Sequence, residues 1–292
     1  MRERVISWGY AGSAVPPGLS GNVTQISHNP HSMALKDDGT VVAWGRNDDG
    51  ECNVPEGLVA KQIAAGYWFS AALRMDGTVV AWGWSGVDGA CNIPEGLVAK
   101  QIAAGWYGGA AIREEDNSVV VWGYEWSGSG PSDPPPGLVA KQIAVGRYHF
   151  LAIKMDGTVV AWGNNTDGKC DVPDGLVAKQ VSAGHYHSMA LKEDGTVVAW
   201  GYNGGGSCNV PEGLVAKQIA AGWDHSVALK EDGTVVAWGW PAGGGCDVPE
   251  GLVATQIAAG RQHTMAYGYI VEPSSRRRKR AAWQNLERPL IL

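Results

Sequence analysis

Hydrophobic and polar positions alternate in short stretches, and the same order of stretches returns every 36 to 40 residues. The copy at 180–217 begins with the small-residue stretch Gln-Val-Ser-Ala-Gly and continues with the alternating stretch His-Ser-Met-Ala-Leu-Lys. A β-branched stretch, Thr-Val-Val-Ala-Trp-Gly, follows Asp194-Gly195. Alternation and β-branched residues indicate β-strands, and Asp-Gly predicts a two-residue hairpin. We expect a fourth, short outer strand near Cys-Asn-Val-Pro, where proline suits an edge.

The number of copies and the two chain ends predict the architecture. Trp-Gly marks seven copies, at Trp8, Trp44, Trp82, Trp122, Trp162, Trp200 and Trp238. Six complete copies begin at Gln25, Gln62, Gln101, Gln142, Gln180 and Gln218. A period near 40 with several short strands is typical of propeller blades. We therefore predict an all-β, seven-bladed propeller with four-stranded blades. Residues 4–24 and 256–270 would form the seventh blade, with the N-terminal strand paired to 263–268 so that no blade edge stays open.

Charge divides the chain into two parts. Residues 271–292 contain six basic and two acidic side chains, so residues 1–270 are more acidic than the formal net charge of −6. We predict one propeller domain over 1–270 and a basic, disordered tail over 271–292. An acidic body lacks the basic footprint of a nucleic-acid binder, which leaves Arg276–Arg280 as the only candidate contact for nucleic acid. The same run of basic residues also fits a localisation signal or a solvated tail.

The five cysteines occupy one position of the repeat, before Asn/Asp-Val/Ile-Pro: Cys52, Cys91, Cys170, Cys208 and Cys246. Equivalent positions of neighbouring blades lie too far apart for a disulfide, which needs Cα atoms within about 7 Å. Unpaired thiols favour a reducing compartment. Because no signal peptide is visible, we expect a cytoplasmic protein, with export by a non-classical route as the alternative.

The pattern Ala-Ala-Gly-x-x-His-Ser-x-Ala-Leu-Lys-x-Asp-Gly-x-Val-x-x-Trp-Gly resembles the repeat of the regulator of chromosome condensation family, over nearly all of residues 4–270. The Val-Val-Ala-Trp-Gly and Val-Pro elements are most similar to bacterial members, which include a secreted propeller-type inhibitor of β-lactamases. The resemblance implies seven four-stranded blades with a split closing blade. It also implies one of two activities, protein binding through aromatic loops or nucleotide exchange on a Ran-type GTPase. The inserted β-wedge of the exchange factor has no counterpart in this sequence.

The copies differ from one another mainly in the loop after Ala-Ala-Gly and the loop after Trp-Gly. Strand direction places both loops at the same end of the ring, which we call the top face. Trp, Tyr and Arg are enriched at binding hot spots, and a dense exposed aromatic patch indicates recognition. The predicted partner-binding residues are Tyr67, Trp68, Phe69, Trp84, Trp106, Tyr107, Tyr124, Trp126, Arg147, Tyr148, Phe150, His185, Tyr186, Tyr202, Trp223, Asp224, Trp240 and Arg261.

Structural roles compete with this interpretation for some of these side chains. The aromatic rings could instead fold over the central channel and only pack. The Trp-Gly tryptophans are interpreted as wedges between blades. The repeated histidine is interpreted as a hydrogen-bonding group that stabilises its loop rather than as part of a metal site. It occurs at His31, His149, His187, His225 and His263.

The sequence contains no Walker loop, G-x-S-x-G or H-E-x-x-H motif, and no C-x-x-C pair for zinc. A catalytic group of His185, His187, Ser188 and Asp224 is the enzymatic alternative. We predict no enzyme, cofactor, metal or membrane span, and a monomer that binds a partner protein through its top face. The alternatives are a regulator of a Ran-type GTPase and a lectin-like binder, since stacked aromatic rings also suit sugars.

Overall fold

Every regular element of the computed structural model is a β-strand within the residues it describes, which are 2–9, 14–17, 19, 22–86, 89–123 and 133–272. Twenty-one strands form seven antiparallel sheets of three. The inner strands are β2 (Val23–His28), β5 (Ala60–Ala65), β8 (Ala99–Ala104), β11 (Ala140–Val145), β14 (Gln180–Ala183), β17 (Gln218–Ala221) and β20 (Leu252–Ala259). The middle strands are β3 (His31–Lys36), β6 (Phe69–Arg74), β9 (Gly108–Arg113), β12 (His149–Lys154), β15 (His187–Leu191), β18 (His225–Leu229) and β21 (His263–Ile270). The outer strands are β1 (Arg4–Gly9), β4 (Val41–Gly45), β7 (Val79–Gly83), β10 (Val119–Gly123), β13 (Val159–Gly163), β16 (Val197–Gly201) and β19 (Val235–Gly239).

One sheet combines strands from both ends of the chain. Its order is β1-β21-β20, and β1 pairs with β21 from Arg4 opposite Gly268 to Gly9 opposite His263. This is the pairing that the unequal chain ends predicted. The inner strand β2 of the first sheet contacts both β20 and β21 of this sheet. The first and seventh sheets are therefore neighbours.

The predicted fourth strand is not confirmed in the described part of the chain. Five connections instead form a single bridge to the residue before an outer strand: Thr40 to Val59, Thr78 to Val98, Ser118 to Val139, Thr158 to Val177 and Thr196 to Val215. The Cys-Asn-Val-Pro segment forms turns, as in the bond from the Asn53 amide to the Gly50 carbonyl at 2.9 Å. Its backbone groups are satisfied locally, so they are not available for a strand ladder.

The five Asp-Gly hairpins between middle and outer strands have three-residue loops, which corrects the predicted two-residue turn. In the first sheet the Gly39 amide donates to the Lys36 carbonyl and the Lys36 amide donates to the Thr40 carbonyl. Gly39 has φ of +82° and is the last residue of the turn made by residues 36–39. This arrangement of a turn and a left-handed glycine is the common three-residue hairpin. Asp-Gly marks the turn in both types, so the dipeptide alone did not distinguish them.

The hydrophobic core lies between sheets and consists of seven clusters, each built from two neighbouring sheets. The Trp-Gly tryptophans pack into these clusters, which confirms their interpretation as wedges. Five of them donate from Nε1 to a loop carbonyl of the preceding sheet, as Trp200 does to Lys169 at 2.9 Å and Trp238 to Ser207 at 2.9 Å. The wedge therefore fixes both the distance and the register between sheets.

A ring of glutamines joins the inner strands around the central channel. The side chain of Gln180 donates to the Ile219 carbonyl at 3.1 Å and accepts from the Ile219 amide at 3.0 Å. Each of the other copies uses its glutamine toward the next inner strand, and Gln256 donates to Thr24 of the first sheet at 2.6 Å. The side-chain amide thus replaces the backbone ladder that separate sheets cannot form. The sequence pattern alone did not indicate this role for the repeated glutamine.

Candidate partner-binding surface

The described residues of the loops that vary between copies lie at one end of the molecule, the predicted top face, and we call them the variable rim. The rim comprises the residues between each inner and middle strand and the described residues of the loop after each outer strand. Backbone hydrogen bonds join the two kinds of loop directly, from Trp84 N to Trp68 O at 2.9 Å and from Tyr202 N to Tyr186 O at 3.0 Å. The rim therefore has the single-ended geometry expected from strand direction.

The first variable side chains after the inner strands β8, β11, β14, β17 and β20 line the channel. We call these five side chains the axial cluster: Trp106, Arg147, His185, Trp223 and Arg261. They line one end of a channel of about 310 Å³. The ring centroid of Trp106 lies 4.7 Å from that of His185 and 5.5 Å from that of Trp223, so side chains from different sheets meet across the axis. Tyr67 stacks on Trp106 at 4.0 Å and is buried. The alternative that aromatic rings fold over the channel thus describes this part of the rim.

Farther from the axis, aromatic side chains face solvent beside carboxylates. Tyr202 is 50% exposed and Trp240 is 51% exposed. They line a cleft of about 380 Å³, which we call the outer cleft, together with Asp167, Tyr186, Gly204, Gly205 and Asp224. Burial raises the pKa of the Asp224 carboxyl, which has no hydrogen-bond or ion-pair partner among the residues that the structure describes. Asp167 lies in this cleft but is not among the residues predicted from the sequence.

The remaining predicted residues occupy different depths. Trp68, Trp84 and Tyr148 are half-buried rim residues that pack against one core cluster, and Tyr107 is buried in that cluster. Phe69 and Phe150 have almost no exposed surface and belong to the middle strands β6 and β12. These two are corrected from rim residues to core residues. Tyr124 and Trp126 lie outside the described residues.

The repeated histidines join neighbouring sheets. His31, His149 and His187 make Nε2 contacts with Ser70 at 2.7 Å, Ser188 at 2.9 Å and Ser226 at 2.9 Å, and His225 contacts Thr264 at 3.0 Å. Each of these hydroxyls donates to a loop carbonyl of the preceding sheet, as Ser226 does to Ser207 at 2.8 Å. The hydroxyl proton is therefore used, so the histidine Nε2–H must donate to the hydroxyl oxygen.

This network keeps the histidines neutral. Burial lowers the pKa of His149 and of His187 to about 3, and that of His31 and of His225 to about 4. The interpretation of the repeated histidine as a stabilising hydrogen-bonding group is confirmed for these four. His187 and Ser188 are both buried and engaged in such bonds, so the catalytic alternative loses two of its members.

The two core phenylalanines replace members of this network in a matched way. Phe69 occupies the histidine position of the second sheet, and Gly109 occupies the hydroxyl position of the third. Between the third and fourth sheets, Gly108 occupies the histidine position and Phe150 occupies the hydroxyl position. At both interfaces a large apolar ring faces a glycine, so neither histidine nor hydroxyl is left there without its partner. This size exchange explains why Phe69 and Phe150 are buried.

The five cysteines are free thiols, as predicted. The Sγ atom of Cys52 contacts the Arg46 carbonyl at 3.1 Å, and Cys91 makes the corresponding contact with Trp84 at 3.3 Å. Burial raises the pKa of Cys52, Cys91 and Cys170 to about 11. A protonated thiol is a poor nucleophile and a poor metal ligand. Within the described ranges, no three His, Cys, Asp or Glu side chains form a group that could hold a metal ion.

No helix that could cross a membrane occurs in the described parts of the chain. The repeated sheets, the tryptophan wedges and the channel lined by inner strands define a β-propeller. The sequence profile of the regulator of chromosome condensation (RCC1) repeat matches residues 31–51, 60–89, 140–169, 178–207 and 216–244. The chain is a member of the RCC1 repeat family.

Solved structures with the same fold come from different organisms. Prp20p of Saccharomyces cerevisiae, studied for its binding to Gsp1p and histones, superposes with a TM-score of 0.77 at 19% identity, over 97% of this chain and 95% of its own. Human WBSCR16 gives 0.71 at 17% identity, over 92% and 100% of the two chains. The ectodomain of the Arabidopsis thaliana receptor kinase ACR4 gives 0.67 at 20% identity, over 81% and 88%. No curated protein matches the sequence.

Proposed function

We propose that the chain is a non-catalytic binding protein whose partner is another protein that docks on the variable rim. The observation that carries the proposal is the outer cleft, where half-exposed Tyr202 and Trp240 stand beside Asp167 and Asp224. Aromatic anchors flanked by polar groups are typical of binding hot spots. Docking there would block whatever surface of the partner it covers, so the binding could inhibit by occlusion.

The contrast between the two ends of the molecule supports this choice of surface. The end formed by the hairpins repeats the same Lys/Arg and Asp positions, with surface ion pairs such as Lys192–Asp194 at 3.7 Å. The variable rim instead carries a different side chain in nearly every copy. Repetition serves folding, whereas the differences between copies are free to serve recognition.

A closed ring of seven blades would make the rim a rigid platform. The pairing of β1 with β21 and the bond from Gln256 to Thr24 support this closure. A rigid rim lowers the entropy cost of binding, because the contacting side chains need little further ordering.

The experiment is capture of partners from native extract on immobilised protein, followed by affinity measurement with the purified partner. We expect Tyr202→Ala and Trp240→Ala each to weaken binding by about 2 kcal/mol, the usual hot-spot cost. Met155→Ala is the matched control, because Met155 is 53% exposed at the hairpin end. Equal affinity of all three variants and the wild type would refute the proposed surface.

Regulation of a small GTPase is a second candidate. Its support is the fold shared with Prp20p, which binds Gsp1p. Nucleotide release from a Ran-type GTPase, measured with and without the chain, tests this candidate directly. Absence of acceleration would remove it and leave the rim proposal intact.

The protonated, unpaired thiols support our expectation of a cytoplasmic location, which fractionation of the native cell would test.

A further inference from the structure

Three arginines of the variable rim stack on aromatic rings, but only one of them is also paired with carboxylates. Arg46 lies 4.1 Å from the Trp68 ring, Arg147 lies 4.3 Å from the Trp106 ring and Arg261 lies 4.2 Å from the Trp223 ring. Arg46 also contacts three carboxylates, those of Asp48 at 2.8 Å, Asp49 at 3.6 Å and Glu51 at 3.9 Å. Arg147 and Arg261 form no ion pair with any residue in the described ranges.

These two arginines belong to the axial cluster, where several buried nitrogen atoms also lack partners. Arg147 Nε, Trp223 Nε1 and both ring nitrogens of His185 are buried without a hydrogen bond. All three residues line the same end of the channel. A buried donor without a partner costs about 1–3 kcal/mol, so such groups usually mark the place of a water molecule or an ion.

The local charge decides between these two occupants. Burial lowers the pKa of His185, and the positive charges of Arg147 and Lys169 are the next largest causes. His185 is neutral, Arg147 is half-buried and Arg261 is exposed, and neither arginine has a carboxylate partner in the described ranges, so the channel end carries a positive potential. Water can accept from the orphaned donors, but only an anion also neutralises the two arginines.

We propose that the end of the channel at the axial cluster binds a small oxyanion of the size of phosphate or sulfate. Arg147 and Arg261 would supply charge, and Arg147 Nε and the Trp223 indole N–H would donate hydrogen bonds. The channel volume of about 310 Å³ accommodates such an ion. A carboxylate carried by a partner protein has the same chemistry and could occupy the same place. The inference rests on the axial cluster and does not require the outer cleft.

The test is isothermal titration of the purified chain with inorganic phosphate and with sulfate, at constant ionic strength set by chloride. Tryptophan fluorescence gives a second readout, because Trp106 and Trp223 lie in the cluster. We expect saturable binding, at least tenfold weaker in the double variant Arg147→Gln, Arg261→Gln. Arg46→Gln is the matched control, since it removes a stacked arginine whose charge is already paired, and its affinity should equal that of the wild type.

Further measurements distinguish a free oxyanion from an acidic side chain of a partner, and the axial cluster from the outer cleft. N-acetyl-aspartate amide replaces phosphate as a probe for an acidic side chain, and binding of either probe supports the oxyanion site while identifying its source. Trp240→Ala should leave the affinity for phosphate unchanged even if it abolishes partner binding. Thermal unfolding establishes that each variant is folded. Trp223→Phe removes the indole N–H donor without changing the charge, and it should also weaken binding. Absence of saturable binding by all probes, or equal affinity of the double variant and the control, would overturn the proposal.

Discussion

Trp238 and Trp240 are separated by a single glycine, yet they serve different parts of the molecule. Trp238 is 9% exposed and wedges between the fifth and sixth sheets, whereas Trp240 is 51% exposed on the outer cleft. Gly239 turns the chain between them with φ of +114°, and a Cβ there would lie 2.6 Å from the Asp224 carbonyl. The position of Trp238 is a tryptophan in every copy, whereas the position of Trp240 holds Tyr10, Arg46, Trp84, Tyr124, Asn164 or Tyr202 in the other copies. Contacts shared between sheets fix the first position, and their absence leaves the second free to vary.

The largest expected effect is that of Trp238→Ala. The variant removes a buried indole and its bond to the Ser207 carbonyl, which is 2.9 Å long. We expect the free energy of unfolding to fall by about 3–5 kcal/mol. Denaturant unfolding followed by circular dichroism measures this loss. A loss below about 1 kcal/mol would contradict the wedge assignment.

The histidine network should show a smaller, coupled effect. His187→Phe removes the donor to Ser226, and Ser226→Gly leaves the buried Nε2–H of His187 without a partner. Each single change should cost about 1–3 kcal/mol. The double variant recreates the Phe69–Gly109 pair found between the second and third sheets. We therefore expect it to cost less than the sum of the two single changes, by about 1 kcal/mol. Strict additivity in denaturant unfolding would show that the exchange is not matched.

The same double variant changes how stability depends on pH. The pKa of His187 is about 3 in the folded chain, against an ordinary value of 6.5. Between these values the unfolded chain binds a proton that the folded chain does not, so stability falls as pH decreases from 6.5 toward 3. Each such histidine contributes a slope of about 1.4 kcal/mol per pH unit. The double variant should lose one such slope relative to the wild type between pH 6 and 4. Parallel stability curves would contradict this assignment.

The middle and outer strands and the pairing of the chain ends, which together form the framework, could be predicted because short sequence patterns determine them. Alternation, β-branched residues and Asp-Gly turns define the middle and outer strands, and the unequal ends indicate which strands meet. The sequence did not reveal the three-residue hairpin loops or the single bridge in place of a fourth strand. Both depend on hydrogen bonds within turns, such as the Gly39 amide to the Lys36 carbonyl, and several turn types accept the same residues.

The position of the rim could be predicted from the sequence, but the burial of its individual side chains could not. Strand direction alone places the variable loops at one end. Whether a ring faces solvent depends on the sheet beside it, so Phe69 and Tyr202 looked equivalent as aromatic variations. Comparing the residues that occupy the same position in each copy of the repeat would have distinguished the two, because Phe69 occupies the position of the buried histidines and Tyr202 does not.

The smallest expected effect on stability is that of Trp240→Ala. Half of this side chain faces solvent, and its backbone amide, which donates to the Asp224 carbonyl at 2.8 Å, is retained in the variant. We expect the free energy of unfolding to change by no more than about 0.5 kcal/mol, as at other surface positions. Denaturant unfolding beside Trp238→Ala gives the measurement, with the same indole removed two residues away. If Trp240→Ala destabilised the fold as much as Trp238→Ala, the rim would be part of the framework. A near-neutral result leaves recognition as the use of an exposed tryptophan that folding does not require.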